Sequence, residues 1–366
     1  MRNPFEPGQP KPKTEDGLFS RHEVGLANRN SGALLETLTR DITPTGTHYL
    51  LTHFDVPMID ETTHRLCFEG AFEAPFSLDM DEIRGLPVQS MPVTLECAGN
   101  GRSNMSPRSH SMPWHYEAVG TSEWTGTPLA PLITRAKPLN GVVDFAFLGA
   151  DAGFDKGVPH AFGRSLTPEE IDALDVLLVW GMNGAPLLPQ HGAPLRIIVP
   201  GWYGMASVKW LTTIRALTER YDGFQQVQTY RFRKHENDPG EPVNAIRVKS
   251  LLVPPGVPDW ITRERWLREG PVTLQGRAWS GNGVPITRVE VLLDETWQEA
   301  HLTPPVGRYA WTGWTIEWAA RPGRHMIACR ATDANGATQP LEAPFDMAGF
   351  ANNVVHRVTV HVAERT

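Results

Sequence analysis

The chain has 366 residues and a net charge of −7, with 40% hydrophobic and 20% charged residues. This length is too great for one typical hydrophobic core, so we expect two domains. The acidic balance excludes a broad basic surface for nucleic acid or for an anionic membrane, and no apolar run approaches the roughly 18 residues that span a bilayer.

The cysteines and the first residues bear on the cellular compartment. Cys67, Cys97 and Cys329 are odd in number and have no CxxC spacing, which argues against a disulfide framework and a structural zinc site. Residues 1–20 are polar and rich in proline, with no hydrophobic signal core. We therefore expect a cytoplasmic protein, or a periplasmic one if a leader has been removed.

The first two thirds of the chain predict a mixed domain. Residues 1–30 are expected to form an irregular arm, and residues 31–245 an α+β domain. The segment Thr167–Glu170 places Pro168 behind a capping threonine and two acids in the first turn, which predicts a short helix. Short apolar runs predict buried strands at Met91–Leu95, Val142–Leu148, Val176–Trp180 and Leu195–Val199.

The character of the sequence changes after about Pro242. Short alternating segments follow one another with Gly, Pro and Asn turns between them, a spacing typical of an immunoglobulin-like β-sandwich. We therefore predict an all-β domain over residues 246–366. Its strands are expected at Ala245–Val253, Val272–Trp279, Thr287–Leu293, Ala310–Trp318, His325–Thr332 and Val354–Val362.

The first chemically suggestive segment is Thr94–Arg102, TLECAGNGR. Cys97 follows a predicted strand and precedes a loop of small residues, where Gly99 and Gly101 let the backbone approach another group closely. The charge of Arg102 is expected to lower the pKa of a nearby thiol and to attract an anion. The residues alone leave a second interpretation open, a buried free cysteine beside a tight turn.

The second segment is Gln190–Trp210, QHGAPLRIIVPGWYGMASVKW. His191, Arg196 and Lys209 surround a glycine-rich connector whose N–H groups could hold a phosphate. The spacing from glycine to lysine does not fit a Walker motif. An ordinary strand–turn–strand with solvated charges is the alternative.

Together these segments resemble the sulfite oxidase family of molybdopterin enzymes over nearly the whole chain. TLECAGNGR is similar to the family's TLxCAGNRR loop, and HGAPLRIIVPGWYGMASVKWL to HGxPxRxxxPGxxGxxxVKWL. Trp114 with the later Trp124-Thr125-Gly126 matches a third block, and Asn353–Val358 resembles the NxxHRV ending. Four blocks in the same order form a specific signal.

The resemblance implies a molybdenum–molybdopterin cofactor with Cys97 as the protein's thiolate ligand, and a thiolate suits a sulfur-bonded metal. It also implies a set of residues that bind the pterin. For His53 alone, a core histidine is the alternative. The cofactor-binding set is His53, Cys97, Asp151, His191, Arg196, Ser207 and Lys209.

By the same resemblance, Arg102, Trp114 and Tyr230 line the substrate pocket. For Tyr230 alone, a surface strand tyrosine is the alternative. Two arginines of the family pattern are missing, because Leu51 and Ala348 stand at their positions. Either Arg108, His110 or His115 substitutes for them, or the substrate differs from sulfite.

The function implied is two-electron oxidation of sulfite to sulfate, with electrons passing to an external acceptor such as a cytochrome c or oxygen. No CxxCH segment or haem-type domain is visible, so no haem is expected. A homodimer through the second domain is implied as well. The alternatives are a molybdenum-dependent reductase of nitrate or an S-oxide, and a non-enzymatic immunoglobulin-like binding protein.

Overall fold

The computed structural model describes residues 19–364. The first part of the chain forms two main sheets and four short helices. The helices are α1 (Arg21–Asn28), α2 (Met80–Arg84), α3 (Ala130–Ala136) and α4 (Pro168–Ala173). The strands are β1 (Arg65–Gly70), β2 (Phe76–Asp79), β3 (Gln89–Glu96), β4 (Val119–Pro128), β5 (Asp144–Asp155), β6 (Val158–Leu166), β7 (Leu177–Met182), β8 (Ala185–Pro186), β9 (Arg196–Ile198), β10 (Leu211–Leu217), β11 (Arg231–Phe232) and β12 (Glu241–Pro242).

One sheet has the order β2-β1-β10-β5-β6, and the other has the order β3-β4-β7-β8 with β9 also paired to β7. All pairs in these two sheets are antiparallel except β1 with β10. Strands β11 and β12 form a separate small pair. Mixed sheets with short helices are the α+β architecture that the residue pattern predicts.

The last part of the chain is a two-sheet β-structure. Its strands are β13 (Lys249–Leu252), β14 (Val257–Pro258), β15 (Arg265–Arg268), β16 (Gly270–Trp279), β17 (Ile286–Leu293), β18 (Thr296–Glu299), β19 (His301–Thr303), β20 (Thr312–Ala320), β21 (Gly323–Asp333) and β22 (His356–Ala363). The sheet orders are β13-β16-β20-β19 and β14-β15-β22-β21-β17-β18. Alternate apolar residues of both sheets, such as Leu274, Trp314, Val291 and Ile327, form one buried cluster, as the core of a sandwich requires.

The arm was predicted to be irregular, and this prediction is wrong for its described part. Residues 21–28 form α1, because the Ser20 hydroxyl accepts from the Glu23 N–H and the Glu23 carboxylate accepts from the Ser20 N–H. This reciprocal capping box satisfies two N–H groups that would otherwise lack partners. Residues 1–18 lie outside the described part of the chain.

The other local predictions hold in outline. Helix α4 begins with the capping box of Thr167 and Glu170 and with Pro168 in its first turn. The predicted strands are present, although β9 and β13 are shorter than the apolar runs that suggested them. The domain boundary at 245/246 stays a prediction. Within residues 19–364, no helix is both long and apolar enough to cross a membrane.

Candidate active site

A cavity lies among the loops that leave the two main sheets of the first part. Its wall contains most of the side chains that the sequence predicted for cofactor and substrate. Eight of the ten predicted residues line it, namely His53, Cys97, Asp151, His191, Arg196, Ser207, Lys209 and Tyr230. The cavity therefore joins residues from positions as distant as 53 and 230.

Cys97 stands at the end of β3, where the chain turns sharply. Its N–H donates to the Ala118 carbonyl at 2.9 Å, and its own carbonyl accepts from the Asn100 N–H at 2.9 Å. A Cβ at Gly99 would collide with the Arg102 guanidinium, so glycine is required for this packing. The charge of Arg102 acts to lower the pKa of the Cys97 thiol, as expected, but burial outweighs it and raises the pKa overall. A bound metal would supply the missing stabilisation of the thiolate.

A buried polar network supports the Cys97 loop from below, and we call it the Glu96 network (Glu96, Asn100, Lys249, Trp279). One Glu96 carboxylate oxygen accepts from Lys249 Nζ at 2.7 Å and from Asn100 Nδ2 at 3.0 Å. The other accepts from Trp279 Nε1 at 2.8 Å. Lys249 and Trp279 belong to the second group of sheets, so the β-sandwich contributes directly to the position of this loop. The sequence analysis did not identify this network.

Arg196 is a cationic residue of the cavity wall. Its Nη1 donates to the His191 carbonyl at 2.9 Å and its Nη2 to the Ser207 carbonyl at 3.0 Å, while the guanidinium lies 4.9 Å from the centre of the Trp124 ring. Its buried Nε has no partner. Burial lowers the pKa of Arg196 to about 10, which still leaves it charged at neutral pH.

Lys209 and Asp151 form a second charged part of the wall. Lys209 Nζ donates to the carbonyls of Leu51 (2.9 Å) and Gln190 (3.1 Å). Burial lowers the pKa of Lys209 to about 7, and the nearby Arg196 adds to this effect. Asp151 has a buried Oδ1 without a partner, and burial raises its pKa to about 6. The two charges attract each other, but burial outweighs this attraction in both pKa shifts.

His48 is a wall residue that the sequence analysis missed. Its Nδ1 faces the Tyr49 carbonyl at 3.0 Å, but its buried Nε2 has no partner. Its ring meets the His191 ring edge-on, with centroids 5.8 Å apart. Burial lowers the pKa of His48 to about 4 and that of His191 to about 3, so both rings are neutral at pH 7. The closeness of His48 to His53 in the sequence was the one signal that could have indicated it.

Tyr230 and His53 meet across the cavity. The Tyr230 hydroxyl lies 2.6 Å from His53 Nε2. Burial lowers the pKa of His53 to about 3 and raises that of Tyr230, so the two groups share a hydrogen bond between a neutral ring and a neutral hydroxyl. A pair of this kind can hold or pass a proton at the Tyr230 Oη.

Arg102 and Trp114 are buried near this site but do not line the cavity. Arg102 Nε donates to the Ala348 carbonyl and its Nη1 to the Met112 carbonyl, both at 2.8 Å. Trp114 packs in the same apolar cluster as Cys97. The expected direct contact of these two residues with a substrate therefore stays a prediction.

The three residues considered as substitutes for the missing arginines also lie away from the cavity. Arg108 forms a buried ion pair with Glu23 of α1, and His110 lies 3.5 Å from the same carboxylate. His115 is exposed and faces Asn104. The cation that does border the cavity close to position 51 is Lys209, through the Leu51 carbonyl.

The unpartnered atoms test whether a pterin with a phosphate group fits here. His48 Nε2, Asp151 Oδ1 and Arg196 Nε are buried without partners, and buried polar atoms in native proteins are normally hydrogen-bonded. A polar ligand with both donors and acceptors would satisfy them. Cys97 adds one soft sulfur donor at the same cavity, so the residues present fit a metal carried by an organic cofactor.

Two family models match the chain in sequence. Residues 53–225 match the oxidoreductase molybdopterin binding domain. Residues 241–363 match the Mo-co oxidoreductase dimerisation domain. Together these matches include every predicted cofactor-binding residue and nearly all of the β-sandwich.

Curated relatives include plant nitrate reductases. The chain is 32% identical over 351 residues to an NADH nitrate reductase of Oryza sativa subsp. japonica, covering 88% of this chain and 38% of that protein. It is 31% identical over 353 residues to an NADH nitrate reductase of Nicotiana tabacum, covering 88% and 39%. The chain thus spans about two fifths of the length of these relatives.

Among solved structures, the sulfane dehydrogenase SoxCD from Paracoccus pantotrophus is similar with a TM-score of 0.76 and 22% sequence identity. The match covers 99% of this chain and 97% of that one. This likeness confirms the predicted fold class, an α+β molybdopterin-binding domain followed by an all-β domain.

Proposed function

Because this chain belongs to the sulfite oxidase family of molybdopterin-dependent oxidoreductases, we propose that it oxidises sulfite to sulfate. Sulfite and water would yield sulfate, two protons and two electrons. The electrons would pass to an external acceptor, a cytochrome c or oxygen. When bound, the molybdenum cofactor supplies the two-electron redox couple and the oxygen-atom transfer.

The observation that carries this proposal is the cavity that Cys97, the Tyr230–His53 pair and the cations Arg196 and Lys209 line together. Cys97 would be the protein's ligand to the metal. Asp151, His191, Arg196, Ser207 and Lys209 would hold the pterin and its phosphate, together with His53 and, we add, His48. Arginine and lysine suit phosphate oxygens because they offer charged donors.

The protein's own groups would then act on the substrate in three ways. Buried positive charge near the cavity would favour an anion over a neutral molecule. Tyr230 would orient the oxyanion by donating its hydroxyl hydrogen to it, and neutral His53, protonated at Nε2, would donate to the Tyr230 oxygen. The apolar packing around Cys97 and Trp114 would exclude bulk water from the sulfur atom of bound sulfite.

Nitrate reduction at the same centre is the second candidate, because the curated relatives reported above are nitrate reductases. Nitrate carries one charge where sulfite carries two at high pH, so a cavity with fewer direct arginines could take it. Reduction of a neutral S-oxide belongs to the same class of reaction.

Metal and pterin analysis of the purified protein is the first test, followed by paired activity assays. We expect molybdenum and pterin in equal amounts, and sulfite-dependent reduction of ferricyanide or cytochrome c. Nitrate- or sulfoxide-dependent oxidation of reduced viologen without sulfite activity would replace the first proposal by the second. A folded protein without molybdenum or pterin after expression in a cofactor-producing host would contradict both.

The match of residues 241–363 to a dimerisation domain supports a homodimer. We propose that its contacts lie mainly in the β-sandwich, which forms a C₂ pair in the simplest case. Light scattering at micromolar concentration should give twice the mass of one chain. The mass of a single chain would contradict this proposal.

A further inference from the structure

Two buried arginines are linked through a pair of aromatic rings beside the cavity. The Arg102 guanidinium lies over the Phe350 ring, with its carbon 5.4 Å from the ring centre. Phe350 stacks on Tyr230 at a centroid distance of 5.1 Å. Arg164 lies over the Tyr230 ring at 5.7 Å. We call this arrangement the arginine–aromatic stack (Arg102, Phe350, Tyr230, Arg164).

Arg164 is the member of the stack to which no motif had drawn attention. It lies in β6 and is only 2% exposed. Its Nη1 donates to the Gln225 carbonyl at 3.0 Å and its Nη2 to the Val243 carbonyl at 3.5 Å, while its buried Nε has no partner. Within residues 19–364, no carboxylate forms an ion pair with Arg164.

The two carbonyls that Arg164 binds belong to the backbone that positions Tyr230. The Tyr230 N–H donates to the same Gln225 carbonyl at 3.2 Å, and the Val243 N–H donates to the Tyr230 carbonyl at 3.1 Å. Arg164 thus fixes the chain on both sides of the tyrosine whose hydroxyl lines the cavity. Its guanidinium also places a fixed positive charge against that ring.

A buried cation without an anionic partner is costly to a folded protein. Carbonyl dipoles, a ring face and the more distant charge of Glu170 compensate Arg164 only in part. The cost is recovered if an anion occupies the adjacent cavity, since the attraction acts over several ångströms at low dielectric constant. Arg102 is compensated in a similar way, since its donors are also used on carbonyls.

We propose that Arg164 is a positioning and specificity-determining residue that makes the cavity selective for doubly charged oxyanions by acting through Tyr230. It places a positive charge against the Tyr230 ring. The chain lacks two other positive charges, because Leu51 and Ala348 stand where the family pattern has arginines. The inference rests on the proposed function in that this cavity takes the substrate, but it does not require that sulfite be turned over.

The test measures binding of two probes of similar shape to the molybdenum-loaded protein. Sulfate is the dianion and dimethyl sulfone is the neutral probe, and isothermal titration calorimetry reads both without any turnover. The variants are Arg164→Gln, which keeps a donor but loses the charge, and Arg164→Lys, which keeps the charge. Arg330→Met is the control, because Arg330 lies in the β-sandwich, where it pairs with Glu290, and has no place in the stack.

We expect Arg164→Gln to weaken sulfate binding about ten- to hundredfold, as loss of a charge several ångströms from a dianion implies, and to change sulfone binding less than about twofold. Arg164→Lys should keep most of the sulfate affinity, and Arg330→Met should keep both affinities. Equal losses of affinity for both probes would mean that Arg164 only holds the backbone around Tyr230 in place, and this would overturn the proposal.

If Arg164→Gln does not fold, Arg164→Lys alone still decides, because a folded lysine variant with selectively lost sulfate binding contradicts an electrostatic role. A wild-type protein that binds no sulfate would also overturn the inference. A wild-type protein that binds sulfate selectively but does not oxidise sulfite would remove the proposed function and leave the inference standing.

Discussion

Two buried polar clusters lie near Cys97, the Glu96 network and the cavity wall, and they differ in how completely their atoms are paired. In the Glu96 network, both carboxylate oxygens of Glu96 are bonded, and the Asn100 side-chain oxygen accepts from the Ala118 N–H at 3.1 Å. In the cavity wall, His48, Asp151 and Arg196 each keep an unpartnered buried atom. Both clusters are made of charged and polar groups with little access to water.

The difference distinguishes a network that stabilises the fold from one whose atoms are available to bind a ligand. A fully paired network gains hydrogen bonds on folding and holds its loop rigidly. A partly paired one costs free energy until something binds to it. We therefore propose that the Glu96 network supports the Cys97 loop and that the cavity wall binds the cofactor. Each proposal can be tested separately.

Cys97→Ser gives the largest expected effect on activity and the smallest on the fold. The serine is nearly isosteric, so the Glu96 network remains intact, but a hydroxyl is a poor ligand for a sulfur-bonded metal. We expect turnover to fall to background with an unchanged thermal unfolding midpoint of the apoprotein. Near-normal activity in a cofactor-loaded variant would remove Cys97 from the proposed role.

Lys249→Met is expected to have the largest effect on stability, because it leaves the Glu96 carboxylate buried and unpaired. The free energy of unfolding should fall by about 3–5 kcal/mol, measured by urea titration. The double variant Glu96→Gln/Lys249→Met should recover part of this loss. The control is Arg215→Met, which breaks an exposed pair with Glu69 (48% and 44% exposed) and should cost less than about 1 kcal/mol.

Asp151→Asn tests the cavity wall in the apoprotein. The pKa of Asp151 is raised by burial from 3.8 to about 6, so the folded state binds the proton more tightly than the unfolded state. Stability from this group is therefore present below about pH 4 and is lost as pH rises through about 6. A shift of this size corresponds to about 3 kcal/mol.

We therefore expect the apoprotein of the Asp151→Asn variant to match wild type below pH 4 and to be more stable at pH 7.5, by up to about that amount. Differential scanning calorimetry at the two pH values is the measurement, with Asp172→Asn at an exposed position as control. Cofactor retention should change in the opposite direction and decrease. Equal stability of variant and wild type at both pH values would show that Asp151 is not strained in the empty cavity.

The local pattern of the sequence indicated two candidate segments, the Cys97 loop and the glycine-rich connector after His191, and the family resemblance implied the other site residues. Neither could show that Arg102 donates to the Ala348 carbonyl from a position 246 residues away. The direct substrate contact of Arg102, which the resemblance implies, therefore stays a prediction. Arg164 and Lys249 lie within ordinary strands, and only the tertiary fold brings them to Tyr230 and Glu96.

The capping box that begins α1 is a local pattern, unlike the contacts of Arg164 and Lys249. Ser20 and Glu23 are only three residues apart, so the pattern is visible in the sequence. The sequence analysis did not use this signal. The helix is then fixed by a non-local contact, the buried pairing of Glu23 with Arg108.

The smallest expected effect is a gain in sulfite binding by Leu51→Arg. This variant tests whether the cavity wall near Leu51 faces the substrate. Leu51 lines the cavity, and its carbonyl already accepts from Lys209 Nζ at 2.9 Å. A charge-assisted hydrogen bond from Leu51→Arg to sulfite would contribute roughly 1.5–3 kcal/mol. Burying a further cation beside Lys209 offsets much of this, so we expect the KM for sulfite to fall by no more than about tenfold.

Leu51→Met is the neutral control for this variant, and sulfate inhibition is the second readout. Sulfate should inhibit Leu51→Arg more strongly than either Leu51→Met or wild type, and the unfolding midpoint should decrease slightly. Ala348→Arg should gain less, because the Ala348 backbone is already bonded to Arg102 and the new charge would be repelled by it. If neither KM nor sulfate inhibition responds to Leu51→Arg, the oxyanion does not approach this wall, and its selectivity depends on the Tyr230 side of the cavity alone.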